Sequence, residues 1–488
     1  MGHTELREGR ASADGPRRPR LGAGPVPQGE GGCRQVITRE RVLEVLDKCL
    51  RYSQADQAEV VVLGGDTYLT RYATNYIHQN TAESNAHVYV RTVFGKKVGL
   101  ATTNALDDES LRATVRLSED TARVQPDLAD FVSLPGPEPG DEDDLVAAGP
   151  AYAERTASFT ADERAEAVGR ITALSRREGF EAAGAFQTGV FMVGVANSLG
   201  VRRYAETTRA SLTAIVMGPT GSGYADDLSV DAGAIDPERV AEVAVKKCRD
   251  SQDPVAVEPG EYEVVLEPAA VADMVTFLGY LGLGALAFQE GRSFASGNIG
   301  KPVTGEQFTL WDDGTDPAGL PFPFDFEGVR RRKVMLIEDG VVKNVVYDSY
   351  TAGREEGKTS TGHALPPDLR YGPLPLNMFV KTGDATLEEM IASTKRGLLV
   401  TRFHYTNPLH PVLTLITGMT RDGTFLIENG KVKGPVKNMR FTQGILPAFA
   451  AIEAVSKEAR LCDMFGLGAV SAPAMKISSF TFTGQTQF

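Results

Sequence analysis

The segment Leu278–Phe294, LGYLGLGALAFQEGRSF, continues an apolar stretch that begins at Ala269 and places Gln289 and Glu290 at its end. An apolar run of this length without a polar stripe predicts a helix from Ala269 to about Phe288, buried on every side. Such a helix belongs at the centre of a domain. A carboxylate delivered to the same place is costly to bury unless it is paired, metal-bound or catalytic. The segment therefore marks the core of the C-terminal half and also a first candidate for chemistry, Glu290.

On its N-terminal side, residues 36–255 read as an α+β domain. Thr38 stands where it can cap a helix whose apolar positions Val42, Leu43, Val45, Leu46 and Leu50 recur at helical spacing. The run from Ala58 to Asn80 predicts two strands separated by a turn at Gly64-Gly65-Asp66. Ala86–Asn104 predicts a hairpin turning near Gly95–Lys97, and Asp107–Thr121 a helix. Pro126–Pro150, rich in Pro, Gly and acidic residues, reads as a surface connection. Thr160 and Glu163 then form a capping box for a helix to about Arg177. Two strand-like segments follow, then a loop at 221–223, and Asp236-Pro237 opens a helix to about Cys248. The order helix, strands, helix thus occurs twice. That predicts an internal duplication, or two sheet-and-helix layers packed as one domain.

On its C-terminal side, residues 256–488 read as a β-rich domain. Glu261–Pro268 is a strand, and many short strands follow the apolar helix. Asp339-Gly340, Asp422-Gly423 and Asn429-Gly430 are tight-turn signals. Thr386–Arg396 and a run from about Leu446 leading to Cys462 read as helical. The expected fold class is α+β, an N-terminal mixed sheet-and-helix domain followed by a β-rich C-terminal domain. Residues 1–35, rich in Gly, Pro and Arg and lacking an apolar core, read as a disordered extension rather than a secretory signal.

Composition narrows the function. With 64 acidic against 51 basic residues, the net charge is −13, and no basic stripe offsets it, which argues against a nucleic-acid partner. No window holds 18 consecutive apolar residues, so no membrane span is expected. The four cysteines, Cys33, Cys49, Cys248 and Cys462, form no CxxC pair, which fits a reducing cytoplasm rather than a disulfide framework or zinc ribbon.

Among the six histidines none forms HExxH. His404 and His410, flanking Pro408, read as a surface loop. GPTGSGY at 218–224 lacks the lysine of a phosphate-binding loop, and no GxSxG elbow occurs. His363, in KTSTGHA, sits on a loop among hydrogen-bonding groups, a placement that favours function. Cys462 reads as a buried thiol, or as a nucleophile if a basic group lies beside it. Arg330–Arg332 read as a solvated face, with pairing to Glu290 or to a substrate carboxylate as the alternative. Glu290 reads as a general acid or base if buried, or as a structural partner of Arg292.

RYATNYIHQN (71–80), VGLATTN (98–104), FPFDFEGVRRRKVMLIEDGVV (322–342), KTSTGHA (358–364), GLLVTRFHY (397–405) and TGMTRDGTFLIENGKVKGPVKNMRF (417–441) resemble the TldD/PmbA metallopeptidases, specifically the PmbA (TldE) branch, from about Val36 to Ile477. The resemblance implies a heterodimer in which a TldD-type subunit bears HExxxH and a downstream cysteine as a zinc site. It also implies cleavage of unfolded peptides that bind as extended strands. In this chain Gln289 stands at the first His position, Glu290 at the Glu, Phe294 at the second His, and Cys462 near the ligand cysteine. An amide is a poor zinc ligand and a phenyl ring is none.

The resemblance thus implies a subunit without its own zinc or other cofactor. Its partner would be an HExxxH-bearing TldD-type chain that holds the metal. The alternatives are a homodimeric, zinc-independent hydrolase of a peptide or small natural-product amide, and a non-catalytic peptide-binding protein. Candidate catalytic residues are Glu290, His363 and Cys462; candidate substrate contacts are Gln289, Arg292, Phe294 and His404.

Overall fold

The structure, a computed structural model, describes residues 37–138 and 151–485. The expected extension at 1–35 and the second half of the Pro126–Pro150 connection lie outside the described residues. Val36–Phe488 is one compact unit containing two sheets.

The first sheet is antiparallel, and its sequence repeat is visible in its topology. α1 (Arg39–Tyr52) precedes β1 (Gln57–Ala73), β2 (Tyr76–Phe94), β3 (Lys97–Thr103) and α2 (Asp108–Val124). After a single turn, α3 (Glu154–Ala157), the pattern recurs as α4 (Ala161–Arg177), β4 (Glu181–Asn197), β5 (Arg202–Met217), β6 (Ser222–Ser229) and α5 (Pro237–Asp250). The strand order is β3-β2-β1-β4-β5-β6. Each half enters at the centre through its first strand, and β1 and β4, both 17 residues long, pair antiparallel.

The predicted caps are present. Thr38 accepts from Arg41 N, Thr160 and Glu163 form a reciprocal capping box, and Asp236 accepts from Arg239 N. The turn expected at Gly64-Gly65-Asp66 does not form, because β1 runs straight through it. Gly65 is needed there for close approach: a Cβ would lie 2.2 Å from the Val190 carbonyl of β4. The chain turns instead at Thr74-Asn75, with φ of 47° and 64°. This is the left-handed geometry that two-residue hairpins require, and Asn tolerates it. Asn75 is pinned by donating to Phe180 O and accepting from Ala182 N.

Both faces of this sheet are covered. Val60 and Val62 face α1, while Val61 and Leu63 face Phe322, Phe324 and Phe326 of the C-terminal half. Glu59, two residues before Val61, shares that second face by the period of the strand.

The second sheet is mixed. β7 (Gly260–Leu266) leads into α6 (Pro268–Gly282) and α7 (Ala285–Gln289). β8 (Leu310–Asp312), β9 (Val334–Glu338), β10 (Val341–Val342), α8 (Ser349–Gly353), β11 (Asn377–Val380) and α9 (Leu387–Ala392) follow. The chain ends with β12 (Arg396–His410), β13 (Leu415–Glu428), β14 (Lys431–Pro435), β15 (Met439–Gly444), α10 (Ile445–Ala450), β16 (Ile452–Met464) and β17 (Gly468–Gln485). β7 pairs with both β12 and β17, and β17-β15-β13-β12 are consecutive neighbours. Those five strands therefore close on themselves, leaving no free edge among them. Phe403, Phe441, Phe480 and Phe482 pack together in the core beside them.

Three expectations change here. The predicted single helix from Ala269 to Phe288 breaks at Leu283-Gly284. A Cβ on Gly284 would lie 2.2 Å from the Pro373 carbonyl, and Ala285 N donates outside the helix to Val346 O. The helical run before Cys462 is only α10; Cys462 itself lies on β16, paired with Val470. His404 and His410 lie on β12 rather than on a loop. The α6 helix is buried from Ala270 to Gly282 except at Asp273 and at Tyr280, which reaches the surface. Each large apolar side chain so buried contributes about 1.5–3 kcal/mol.

Candidate functional site

α7 is one turn of helix within the Leu278–Phe294 segment. Its position is set by Gly282 and Phe294. Phe294 is buried, with its ring so close to Gly282 that a Cβ there would lie 2.3 Å away. The ring is thus a packing element that holds the chain after α7 back against α6.

Gln289 is also structural in its contacts. Its Nε2 donates to Thr351 O and to Glu355 Oε1, 2.7 Å in each case, tying α7 to α8 and the turn that follows it. Its Oε1 is buried and accepts no hydrogen bond. Glu290, expected to be buried, is exposed. α7 stops at Gln289, so the next side chain points outward, where Arg292 Nε donates to Glu290 at 2.8 Å.

His363 is fully buried on its loop. Its Nε2 donates to Asp312 Oδ1 across 2.8 Å, and its Nδ1 lies 2.9 Å from both Oγ1 and the carbonyl of Thr361. Asp312, also fully buried, accepts from Asn377 N through its other oxygen. Thr361 Oγ1 accepts from Tyr347 N, and the Tyr347 hydroxyl donates to Glu355, the partner of Gln289. One chain of hydrogen-bonded residues therefore joins Gln289, Glu355, Tyr347, Thr361, His363 and Asp312. The two sequence candidates Gln289 and His363 are brought into one network.

Cys462 is not part of it. Asp312 faces Met378, Met378 faces Val470, and Val470 faces Cys462, so the four share one row across β8, β11, β17 and β16. Three strand spacings put Asp312 and Cys462 roughly 14 Å apart. No Cys–His dyad forms through this route. The Cys462 thiol is buried in the apolar core, and desolvation pushes its pKa well up, with Asp226 adding to the effect. His404 stands against Tyr405 on β12, with its pKa lowered by partial burial and by Arg421 and Arg402.

A zinc ion does not fit the residues at these four positions. The Gln289 amide nitrogen is committed to two acceptors, Phe294 has no donor atom, Glu290 faces outward, and Cys462 favours its neutral thiol. Among the described residues no group of three or more His, Cys, Asp or Glu is arranged to hold a metal.

The sequence reading missed a second polar cluster. Arg91 on β2 contacts Glu59 on β1 at 3.3 Å and Glu327 at 3.2 Å. Glu327 accepts from Ser349 N, while Asp325 accepts from Glu327 N, Val329 N and Ala364 N. Glu59 is buried with neither oxygen hydrogen-bonded. Its burial, opposed by Arg91 and reinforced by Glu327, raises its pKa to about 7. Burial and then Glu327 likewise raise the pKa values of Asp325 and Asp348. These residues join the first sheet to the C-terminal half. The signal was available: Glu59 and Arg91 stand within the locally apolar stretches AEVVVL and VYVRTVF.

Arg331 is a further departure from expectation. Read as part of a solvated face, it is buried. Its backbone N donates to Pro323 O, and its stem lies over Gly314, where a Cβ would come within 2.3 Å of Cδ.

Residues 259–484 match the PmbA/TldA metallopeptidase C-terminal domain. The metalloprotease PmbA of Escherichia coli O157:H7 is 25% identical over 460 residues, covering 91% of this chain and 96% of that protein. The metalloprotease MJ0996 of Methanocaldococcus jannaschii is 27% identical over 208 residues, 41% of this chain and 45% of that protein. The chain spans less than half the length of MJ0996 and of several similar relatives. The fold is that of TldE from Thermococcus kodakarensis, with a TM-score of 0.81 over 91% of this chain and 100% of that one, at 22% identity.

Proposed function

We propose that this chain, which belongs to the PmbA/TldD metallopeptidase family, is the non-metal subunit of a two-subunit peptidase and that an HExxxH-bearing TldD-type partner holds the zinc. One observation carries this reading. The positions that correspond to the two zinc histidines, Gln289 and Phe294, are used for packing: one ties α7 to Thr351 and Glu355, the other fills space against Gly282. The chain contributes a rigid frame, and the substrate is an extended peptide bound largely through its main chain.

A self-sufficient hydrolase finds less support. His363 and Cys462 are buried, and Glu290 lies exposed in an ion pair with Arg292. The test is to co-express the chain with the HExxxH-bearing relative from its own genome. The expected result is a stable heterodimer in which zinc follows the partner and peptide cleavage requires both chains. Cleavage of peptides by the purified, chelator-treated chain alone would overturn the proposal.

A further inference from the structure

A cavity of about 280 Å³ lies between the first sheet and the 320–331 segment. That volume corresponds to roughly nine waters of bulk liquid, enough for one residue-sized group and too little for a folded partner. Its walls are mostly apolar, with Leu63, Phe191, Leu320, Phe322 and Phe324 among them, and Arg331 lines it as well. Half-exposed Leu467 stands at its rim.

Arg331 is the anomaly. It is 8% exposed, its Nε is buried without a hydrogen-bond partner, and its guanidinium pairs with no described carboxylate. Arginine does not shed its proton in proteins, so burial cannot neutralise it. A cation held in an apolar cavity is unfavourable until an anion arrives. The other arginine of the lining, Arg209, is already engaged by Asp463 and the Gly466 carbonyl. The Arg331 backbone and stem are fixed by Pro323 and Gly314, so the guanidinium is held ready rather than loosely placed.

We propose that this cavity binds a carboxylate joined to an aromatic or branched aliphatic group, with the Arg331 guanidinium taking the carboxylate and the phenyl-lined wall taking the apolar body. Two sources share that chemistry: the C-terminal residue of a peptide and a free aryl or alkyl acid. A guanidinium fork matches a carboxylate with two parallel hydrogen bonds, and the apolar wall rewards the attached hydrophobe.

The experiment is isothermal titration of the purified full chain, without any partner, with four probes: N-acetyl-leucyl-phenylalanine, its C-terminal amide, hydrocinnamate and acetate. The expected result is binding of one or both apolar acids, with the amide and acetate weaker by roughly tenfold or more. Tighter binding of the peptide assigns the site to peptide C-termini, and equal binding of hydrocinnamate assigns it to free acids. Arg331→Met is expected to weaken binding by a similar factor while leaving the melting temperature unchanged or higher, since it removes an unpaired buried charge. Equal binding of acid and amide, acetate as tight as hydrocinnamate, or full binding by Arg331→Met overturns the proposal. Should Arg331→Met not fold, Leu63→Trp fills the cavity with Arg331 in place, and binding that survives it overturns the proposal equally.

Discussion

Gln289 Nε2 donates to Glu355 Oε1 across 2.7 Å, and the same carboxylate receives the Tyr347 hydroxyl. Gln289 thereby braces α7 against α8 and the turn that follows it.

Gln289→Ala removes both donors and leaves the Thr351 carbonyl short of a partner. The expected loss is about 1–3 kcal/mol of stability, read from the urea midpoint. Glu290→Gln, one residue on, breaks only an exposed ion pair and should shift stability by less than about 0.5 kcal/mol. Peptide cleavage by the reconstituted complex should be unchanged by it. A large activity loss in Glu290→Gln with folding intact would return Glu290 to the chemistry.

Stability should fall as pH rises from mildly acidic to alkaline. Glu59 has a folded pKa of about 7, above its unfolded value, so the folded state holds the proton more tightly. Its contribution is fully present below about pH 4 and is lost as pH climbs through 7; Asp325 and Asp348 act in the same direction. The effect of Glu59 alone is about 3 kcal/mol, from a shift worth about 1.4 kcal/mol per pH unit. Glu59→Gln, neutral at every pH, should flatten the dependence of the melting temperature on pH between about 5 and 8. An unaltered slope would mean that Glu59 is ionised in the folded protein throughout.

His363→Ala leaves buried Asp312 with Asn377 N as its remaining hydrogen bond. The expected cost is about 3 kcal/mol or more, because a buried carboxylate loses its imidazole partner. Asp312→Asn restores much of the geometry and should cost less. If His363 had a catalytic task instead, His363→Ala would abolish cleavage while the denaturation midpoint stayed in place.

Cys49, Cys248 and Cys462 are all buried, and burial raises each thiol, Cys49 to about 12 and Cys248 to about 11. With Cys33 replaced by Ser, the native chain should resist iodoacetamide and react at three thiols once unfolded in guanidinium. Rapid native labelling of Cys462, identified by peptide mass, would contradict its place in the core.

The helices of the N-terminal half were legible because their signals are local. Thr38, the Thr160–Glu163 box and Asp236-Pro237 act within one turn of chain, and the doubled order of helix, strands and helix survives as the paired halves of one sheet. The false turn at Gly64-Gly65 arose because glycine signals either a bend or a close approach, and only the neighbouring β4 strand distinguishes them. The run before Cys462 was misread for a similar reason: a short apolar segment is settled by what it pairs with, here β17.

The chain's own residues carried the α+β fold class and the family resemblance. These rest on residue identity and spacing. It took the folded structure to show that Glu290 faces outward, that His363 and Gln289 share one hydrogen-bonded chain while Cys462 lies three strand spacings away, and that the buried Arg331 guanidinium has no carboxylate partner among the described residues. Burial and pairing are set by segments far apart in sequence, such as β8 against β11 and Gly314 beneath Arg331, and it is burial that makes a charge costly and therefore informative.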